Sequence, residues 1–373
     1  MDFSLPPELE EKRKVVRAFA LREFADEKKR YYDEHEKFPF EIRKKAMEEG
    51  ILNYGNYWDL LITIEELFRV DPGLGFSIFA PFFGNENILL LGNDEQKKKY
   101  LEPVLRGERI MGFAVTEPVA GSDVAGIASK LDKQPDGSYI LNGSKMFITN
   151  GTIADQLVVV ARSGPVPSEQ KRHHNMSMVI VETKWPGVST NKLYGKMGMR
   201  ASDTAEVIFD NVKVPKENLL GEEGKGFYYA MNFFNISRIY VAAMAIGIAQ
   251  GALDIIVEKA KKDKAFSSME GTQFTIAEIA TRIEAARLIT YKAASFLFQF
   301  NPDPVLTSMA KYYAAETGTY ATEKALLATG MDGALTSLER MFRDAKINEI
   351  WEGSSEIEEL TIYRMLMKKL ESD

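Results

Sequence analysis

A single carboxylate held between an indole and a glycine is the first feature of this chain that could do chemistry. It stands in the segment Ile350-Trp351-Glu352-Gly353-Ser354-Ser355-Glu356-Ile357-Glu358. Ser355 followed three residues later by Glu358 has the spacing of a capping box. Leu360, Ile362, Tyr363, Leu366, Met367 and Leu370 then recur with a helical period. Glu352 is therefore expected in a tight loop, beside the unpaired backbone N–H groups of Ser354–Glu356 at a helix N-terminus. A carboxylate next to such an anion site can act as a base on a bound ligand. The alternative is an acidic residue that merely complements a helix dipole.

Two further segments could share in a site. Phe113-Ala114-Val115-Thr116-Glu117-Pro118-Val119-Ala120-Gly121-Ser122-Asp123 reads as a strand ending in a turn, with hydroxyls and free N–H groups suited to carbonyls or phosphates. A Ser- or Asx-capped turn is its plainer reading. Leu141-Asn142-Gly143 through Phe147-Ile148-Thr149-Asn150-Gly151 reads as a hairpin, in which Phe147 would ordinarily be core.

Composition removes several alternatives. The 373 residues contain no cysteine and only three histidines, His35, His173 and His174, so thiolate chemistry is absent and a metal centre is disfavoured. There is no G-x-S-x-G and no G-x-G-x-x-G. A formal charge of −7 without a basic cluster argues against nucleic acid. No N-terminal stretch has the build of a signal peptide, and the apolar run Ile239–Leu253 is too short for a membrane span. The expectation is a cytoplasmic protein with a helix buried at the centre of a helical unit.

The elements that must position these residues fall into three parts. Up to residue 109 the pattern is helical, with stretches at Leu9–Glu34, Glu41–Glu49 and Trp58–Phe68, a break at Asp71-Pro72-Gly73, and a helix capped by Asp94. Residues 110–219 change to short strands: Met111–Val115, Gly126–Leu131, Ser138–Leu141, Ser144–Thr149, Leu157–Ala161, Met176–Val181 and Ala205–Phe209. Asp136-Gly137 and Asn142-Gly143 give hairpin signals there. Residues 220–373 return to helices at 227–262, 273–299, 304–328, 337–346 and 355–370, with a break at Asn301-Pro302-Asp303-Pro304. The fold class is α+β and multidomain: an N-terminal helical domain, a central antiparallel β-barrel or sandwich, and a C-terminal four-helix bundle.

In order along the chain, these motifs resemble the acyl-CoA dehydrogenase family. The matches are T-E-P-x-A-G-S-D at 116–123, N-G-x-K-x-x-I-T-N-G at 142–151, Lys196-Met197-Gly198 with Arg200-Ala201-Ser202, Val212-Lys213-Val214-Pro215, Arg343-Asp344-Ala345-Lys346-Ile347 and the segment at 350–354. The resemblance implies the same three-part fold, FAD held between β-domain and bundle, and a dimer of dimers that completes each FAD site. It also implies α,β-dehydrogenation of an acyl-CoA thioester, with electrons passed to an electron-transferring flavoprotein. An oxygen-using acyl-CoA oxidase and a non-catalytic scaffold are the alternatives.

The resemblance makes Glu352 the base. Relatives that carry the base on the first bundle helix are not matched, since Phe234-Asn235-Ile236-Ser237-Arg238 has no carboxylate. FAD contacts fall on Phe113, Val115, Thr116, Gly121, Ser122, Phe147, Ile148, Thr149, Gln273, Gly330, Ser354, Ser355 and Glu356. Substrate contacts fall on Ser122, Asn235, Arg238, Gly353 and Arg364. Two departures concern the cross-subunit FAD contacts: Asp263 stands where relatives have an arginine, and Leu326 where they have a glutamine. Phe76, Phe79, Phe82 and Phe83 are either core or walls that shorten the acyl pocket toward short or branched chains.

Overall fold

The N-terminal part packs short helices around one buried helix. The computed structural model describes residues 5–297 and 302–371. Helices α1 (Pro7–Glu23), α2 (Asp26–Glu34) and α3 (Phe40–Glu48) pack on α4 (Tyr57–Val70) and α5 (Pro72–Phe79); α6 (Asn85–Leu91), α7 (Asp94–Gln96) and α8 (Glu102–Leu105) follow. The stretch expected as one helix over Leu9–Glu34 is two, because Phe24 turns into the core and Ala25 is extended. Asp71 both ends α4 and starts α5, its side chain accepting the N–H of Leu74 at 3.0 Å. The cap of α7 is Asn93 rather than Asp94, in a reciprocal box with Gln96.

The central part is one mixed sheet. Its strands are β1 (Met111–Ala114), β2 (Lys130–Lys133), β3 (Tyr139–Thr149), β4 (Gln156–Arg162), β5 (Met176–Glu182), β6 (Val188–Lys192), β7 (Thr204–Val214) and β8 (Leu219–Leu220). They run in the order β6-β7-β3-β2-β4-β5-β8, with β1 also against β4. Pairing is antiparallel except where β1 and β2 lie parallel to β4. Asp136-Gly137 makes the expected turn. Asn142-Gly143 does not: β3 runs through it with a bulge, and Asn142 Oδ1 accepts the N–H of Asn211 at 2.7 Å. β4 and β5 are buried on both faces, and their alternation divides two cores. Val158, Val160, Met178 and Ile180 join the helices, whereas Leu157, Val159, Val179 and Val181 close the β-domain.

The C-terminal part is built on α9 (Gly226–Lys262), with α10 (Lys264–Ser268), α11 (Glu270–Leu297), α12 (Pro304–Thr329), α13 (Met331–Ala334), α14 (Leu338–Ala345) and α15 (Ser355–Leu370). The expected helix end at 298–299 and the break at Asn301 lie outside the described residues; Asp303 caps α12 through the N–H groups of Val305 and Leu306. α9 is long and apolar enough to cross a membrane, but 78% of that window is buried inside the fold. It packs against α4, α11 and α12. Gly247 and Gly251 allow the approach to α4, since a Cβ would fall 2.4 Å from the Glu65 carbonyl oxygen and 2.2 Å from that of Arg69.

A buried ion pair fastens the turn after β1. Lys145 Nζ on β3 donates to Glu117 at 2.8 Å and to the Val115 carbonyl at 2.9 Å. Glu117 also accepts the N–H groups of Ala128 and Ser129. Removing one partner strands the other as an unpaired buried charge. Lys145→Met is therefore expected to destabilise the fold by about 3–5 kcal/mol, measured by denaturant unfolding; a loss within error of zero would refute the fastening role.

Candidate active site

Glu352 sits where the chain between α14 and α15 folds back on α9. The 3₁₀ turn Lys346–Glu349 closes with the Trp351 N–H on the Ile347 carbonyl. Trp351 is anchored on both sides: its indole N–H donates to Asn348 Oδ1 at 3.2 Å, and its ring lies 4.7 Å from Phe76. The next two residues turn left-handed, Glu352 at φ 56° and Gly353 at φ 105°. Only glycine fits at 353, because a Cβ would fall 2.1 Å from Glu358 Oε1. This directs the Glu352 side chain onto Ser237 of α9, whose hydroxyl donates to Oε2.

The surroundings raise the proton affinity of Glu352. Loss of water around the carboxylate pushes its pKa up to about 7; the Ser237 hydroxyl, Arg238 and Lys311 oppose this, and Glu358 adds to it. Glu86 and Asp344 are also pushed up to about 7 by burial. Glu86 is 3% exposed and Asp344 1% exposed, whereas Glu352 as a residue is only half-buried. Glu86 accepts the Tyr240 hydroxyl at 3.0 Å and Asp344 accepts the Met199 N–H. A raised pKa alone does not select a base; accessibility selects Glu352.

Beneath the loop lie three charges: Arg238, expected as a substrate contact, Glu358, expected in a capping box, and Lys311, which sequence reasoning missed. Arg238 Nε donates to the Glu352 carbonyl at 3.1 Å and lies 3.0 Å from Glu358 Oε1. Lys311 on α12 donates to the Gly353 carbonyl. Glu358 is fully buried, so the Ser355–Glu358 capping box does not form; α15 is capped at Ser354 with no side-chain cap bond. The expected hydroxyl partner Ser355 has its Oγ buried, and exposed Glu356 is held down in pKa by the Ser354 hydroxyl. The signal for Lys311 was its company, Ser308, Ala310, Ala314 and Ala315, a small-residue face where a lysine has no solvent.

A second surface comes from the β-domain. Phe147 sits at the bulge between Lys145 and Ile148, at φ 61°, and its ring is 67% exposed rather than core. The Thr116 carbonyl accepts the Met146 N–H at 2.8 Å, which brings the turn after β1 beside this ring. Thr116 and Thr149 are half-buried, and Gly121 and Ser122 are exposed. An exposed flat ring, on a strand that also carries Thr149 and is bonded to the Thr116 turn, suits an aromatic ring system such as a flavin. Phe113, Val115 and Ile148 are buried, so their side chains serve the core.

Other expected contacts fall elsewhere. Asn235 accepts from Arg238 at 3.3 Å, and Arg238 is turned inward onto the Glu352 carbonyl and Glu358. Arg364 is an exposed residue of α15 outside this cluster. Gln273 and Gly330 are exposed on the outside of the bundle. Asp263 caps α10 through the Phe266 N–H, which explains a carboxylate at that position.

Three family models cover the chain in order: the acyl-CoA dehydrogenase N-terminal domain over residues 6–108, the middle domain over 112–212 and the C-terminal domain over 224–367. The chain belongs to the acyl-CoA dehydrogenase family, whose members are FAD-dependent oxidoreductases. It is 37% identical to an acyl-CoA dehydrogenase of Bacillus subtilis, over 95% of this chain and 97% of that protein. It is 36% identical to the CarC subunit of the caffeyl-CoA reductase-Etf complex of Acetobacterium woodii, over 96% and 97%. Butyryl-CoA dehydrogenase of Megasphaera elsdenii superposes with a TM-score of 0.91 at 33% identity, covering 98% of this chain and all of that one.

The carboxylate can be titrated directly. Infrared difference spectra should show Glu352 ionising near pH 7, and Ser237→Ala should move the transition to higher pH, since the lost hydroxyl favoured the charged form. A transition in the ordinary carboxylate range would sink this account of its environment.

Proposed function

We propose that this protein removes two hydrogens across the α,β carbons of an acyl-CoA thioester to give a 2-enoyl-CoA. Glu352 takes the α-proton. One arrangement carries the assignment: a carboxylate on a partly exposed loop residue, its pKa pushed up to about 7 by loss of water, held against α9 by the Ser237 hydroxyl. An α-C–H is a weak acid, so a base poised near the working pH is what the step requires. FAD, when bound, supplies the acceptor for the β-hydrogen as hydride. Phe147 would stack on its ring, and Thr116 and Thr149 would hydrogen-bond its edge. The exposed turn at Gly121-Ser122 and the α15 N-terminus at Ser354–Glu356 would meet its polar arm and the CoA.

Electrons would pass to an electron-transferring flavoprotein, and the relation to an Etf-complex subunit supports that choice. A homo-oligomer, of the dimer-of-dimers type, is supported by the exposed apolar residues Leu327, Met331 and Leu335 around Gly330. We place the protein in the cytoplasm. The reductase relative gives reason to assay the reverse direction too, in which Glu352 would return a proton to the α-carbon.

Glu352→Gln should bind FAD and acyl-CoA but lose anaerobic flavin bleaching by about 10²–10⁴-fold, the usual worth of a positioned base. Bleaching at the unmodified rate would refute the assignment. Phe147→Ala should lower flavin retention and leave the unfolding temperature of the apoprotein unchanged, because an exposed ring contributes little to the core; unchanged flavin retention would refute the stacking role.

A further inference from the structure

The candidate base stands on three buried ionisable side chains from three helices. Arg238 of α9, Lys311 of α12 and Glu358 of α15 are 7%, 0% and 0% exposed. Taking such groups out of water is costly, and apolar side chains of similar size would close a bundle at lower cost. All three are directed at one dipeptide. Arg238 holds the Glu352 carbonyl and Lys311 the Gly353 carbonyl. Glu358 pairs with Arg238 and occupies the place that a side chain at residue 353 would take.

The backbone shows the consequence. Two successive residues are left-handed, and for a glutamate that strained conformation persists only where the surroundings impose it. No peptide bond is cis among the described residues. In a planar trans peptide the C=O and the following N–H point in opposite directions. With the carbonyls of 352 and 353 turned onto the two cations, the N–H groups of Gly353 and Ser354 must point away from them, outward from the clamp.

We propose that Lys311 is a positioning residue for Glu352: together with Arg238 and Glu358 it clamps the 352–353 backbone, so that carboxylate and outward N–H groups keep one geometry toward a bound thioester. The proposal rests on the reading of Glu352 as the base. Lys311 acts through the backbone and makes no contact with the carboxylate it positions. Its charge acts as well. Glu352 is faced by Arg238, Lys311, Glu358 and Ser237; Lys311 favours its ionised form and Glu358 opposes it. Lys311 in turn faces Glu358, Arg238, Glu352 and Glu349.

Opposite charges on one clamp give a signature that simple loosening of the fold does not. The test uses the full-length, FAD-loaded protein and follows anaerobic flavin reduction by butyryl-CoA against pH, in Lys311→Met, Lys311→Arg, Glu358→Gln and Glu352→Gln. Lys311→Met should keep its flavin and its substrate affinity, lose roughly ten- to a hundredfold in limiting rate, and shift the rising limb of the pH profile upward. Glu358→Gln should shift that limb downward, and Lys311→Arg should leave it in place. Wild-type rate and profile in Lys311→Met would overturn the proposal, and so would shifts of the same sign in Lys311→Met and Glu358→Gln. Partial loss of flavin, with an unmoved limb in the fraction that keeps it, would assign Lys311 to the fold alone. Should Lys311→Met not fold, the direction of the limb in Glu358→Gln and Lys311→Arg decides. Glu352→Gln separates the two claims: if it reduces flavin normally, the base assignment fails; if it is inert and the Lys311 variants are normal, only the clamp fails.

Discussion

The site depends on the need to satisfy one arginine inside an apolar helix. Between Gly226 and Leu253, α9 carries a single charged residue, Arg238. The helix is buried on nearly every side there, so this guanidinium has no route to water and must be met from within. Besides Asn235 on α9 itself and Ser308 on α12, its partners come from the far end of the chain. Glu358 brings the first turn of α15 against α9, and the Glu352 carbonyl brings the loop before it. The placement of residues 352–358 follows from that demand, and with it the direction of the carboxylate beside Ser237. An uncharged residue at 238 would leave Glu358 and the Glu352 carbonyl without this partner, and only Lys311 and Ser237 to fix the loop conformation.

Backbone strain accompanies both surfaces proposed for the site. Of the seven non-glycine residues with positive φ among the described residues, Glu36, Asn175, Met199 and Asn211 lie elsewhere, and Phe147, Asn150 and Glu352 belong to these surfaces. Each is held by an outside constraint. The bulge against β7 exposes Phe147, and Asn150 Nδ2 bonds the carbonyls of Ala80 and Met111 at 2.8 and 3.0 Å. Glu352 is held by the charges below it. Strain of this kind persists only where the surroundings over-determine the backbone. Here the over-determination falls on an exposed ring, the end of the strand carrying Thr149, and the candidate base.

Local pattern made most of this legible, and long-range satisfaction made the rest invisible. Helical and strand periods located nearly all the long elements and the three-part order, because those periods are set by which residues face a core. The Glu352 loop was legible from its glycine and the helix after it. Asn142-Gly143 misled because a turn signal and a bulge use the same residues, and only the β7 partner distinguishes them. Ser355 and Glu358 misled in the same way: the capping spacing is real, but Arg238, more than a hundred residues earlier, outcompetes the backbone for Glu358. Lys311 could not be assigned from its own helix, since its partner is the Gly353 carbonyl. Gln273, Gly330 and Arg364 rested on resemblance alone, and in a single chain they face outward.

The candidate site is therefore a junction, and its geometry is no better than the joint between β-domain and bundle. The flat face on β3 and the base before α15 belong to different units. Phe113 on β1 packs at 4.7 Å from Phe233 on α9, one turn before Ser237. At the other side, the loop after β6 is bonded to α14: Asp344 accepts the Met199 N–H, and Arg343 donates to the Met197 carbonyl at 2.9 Å. Asp344 is buried beside Asp71, whose own carboxylate pairs with Arg340 at 3.0 Å, so the joint reaches the N-terminal helices as well. Burial holds the Asp344 proton affinity near neutrality, and its bond to the Met199 N–H favours the charged form. All three parts of the chain thus meet within α14, directly before the turn that presents Trp351 and Glu352. A shift of α14 would move the base relative to the Phe147 face without disturbing either one internally, which is why polar bonds, with their short range and fixed direction, are placed there in an otherwise apolar interface.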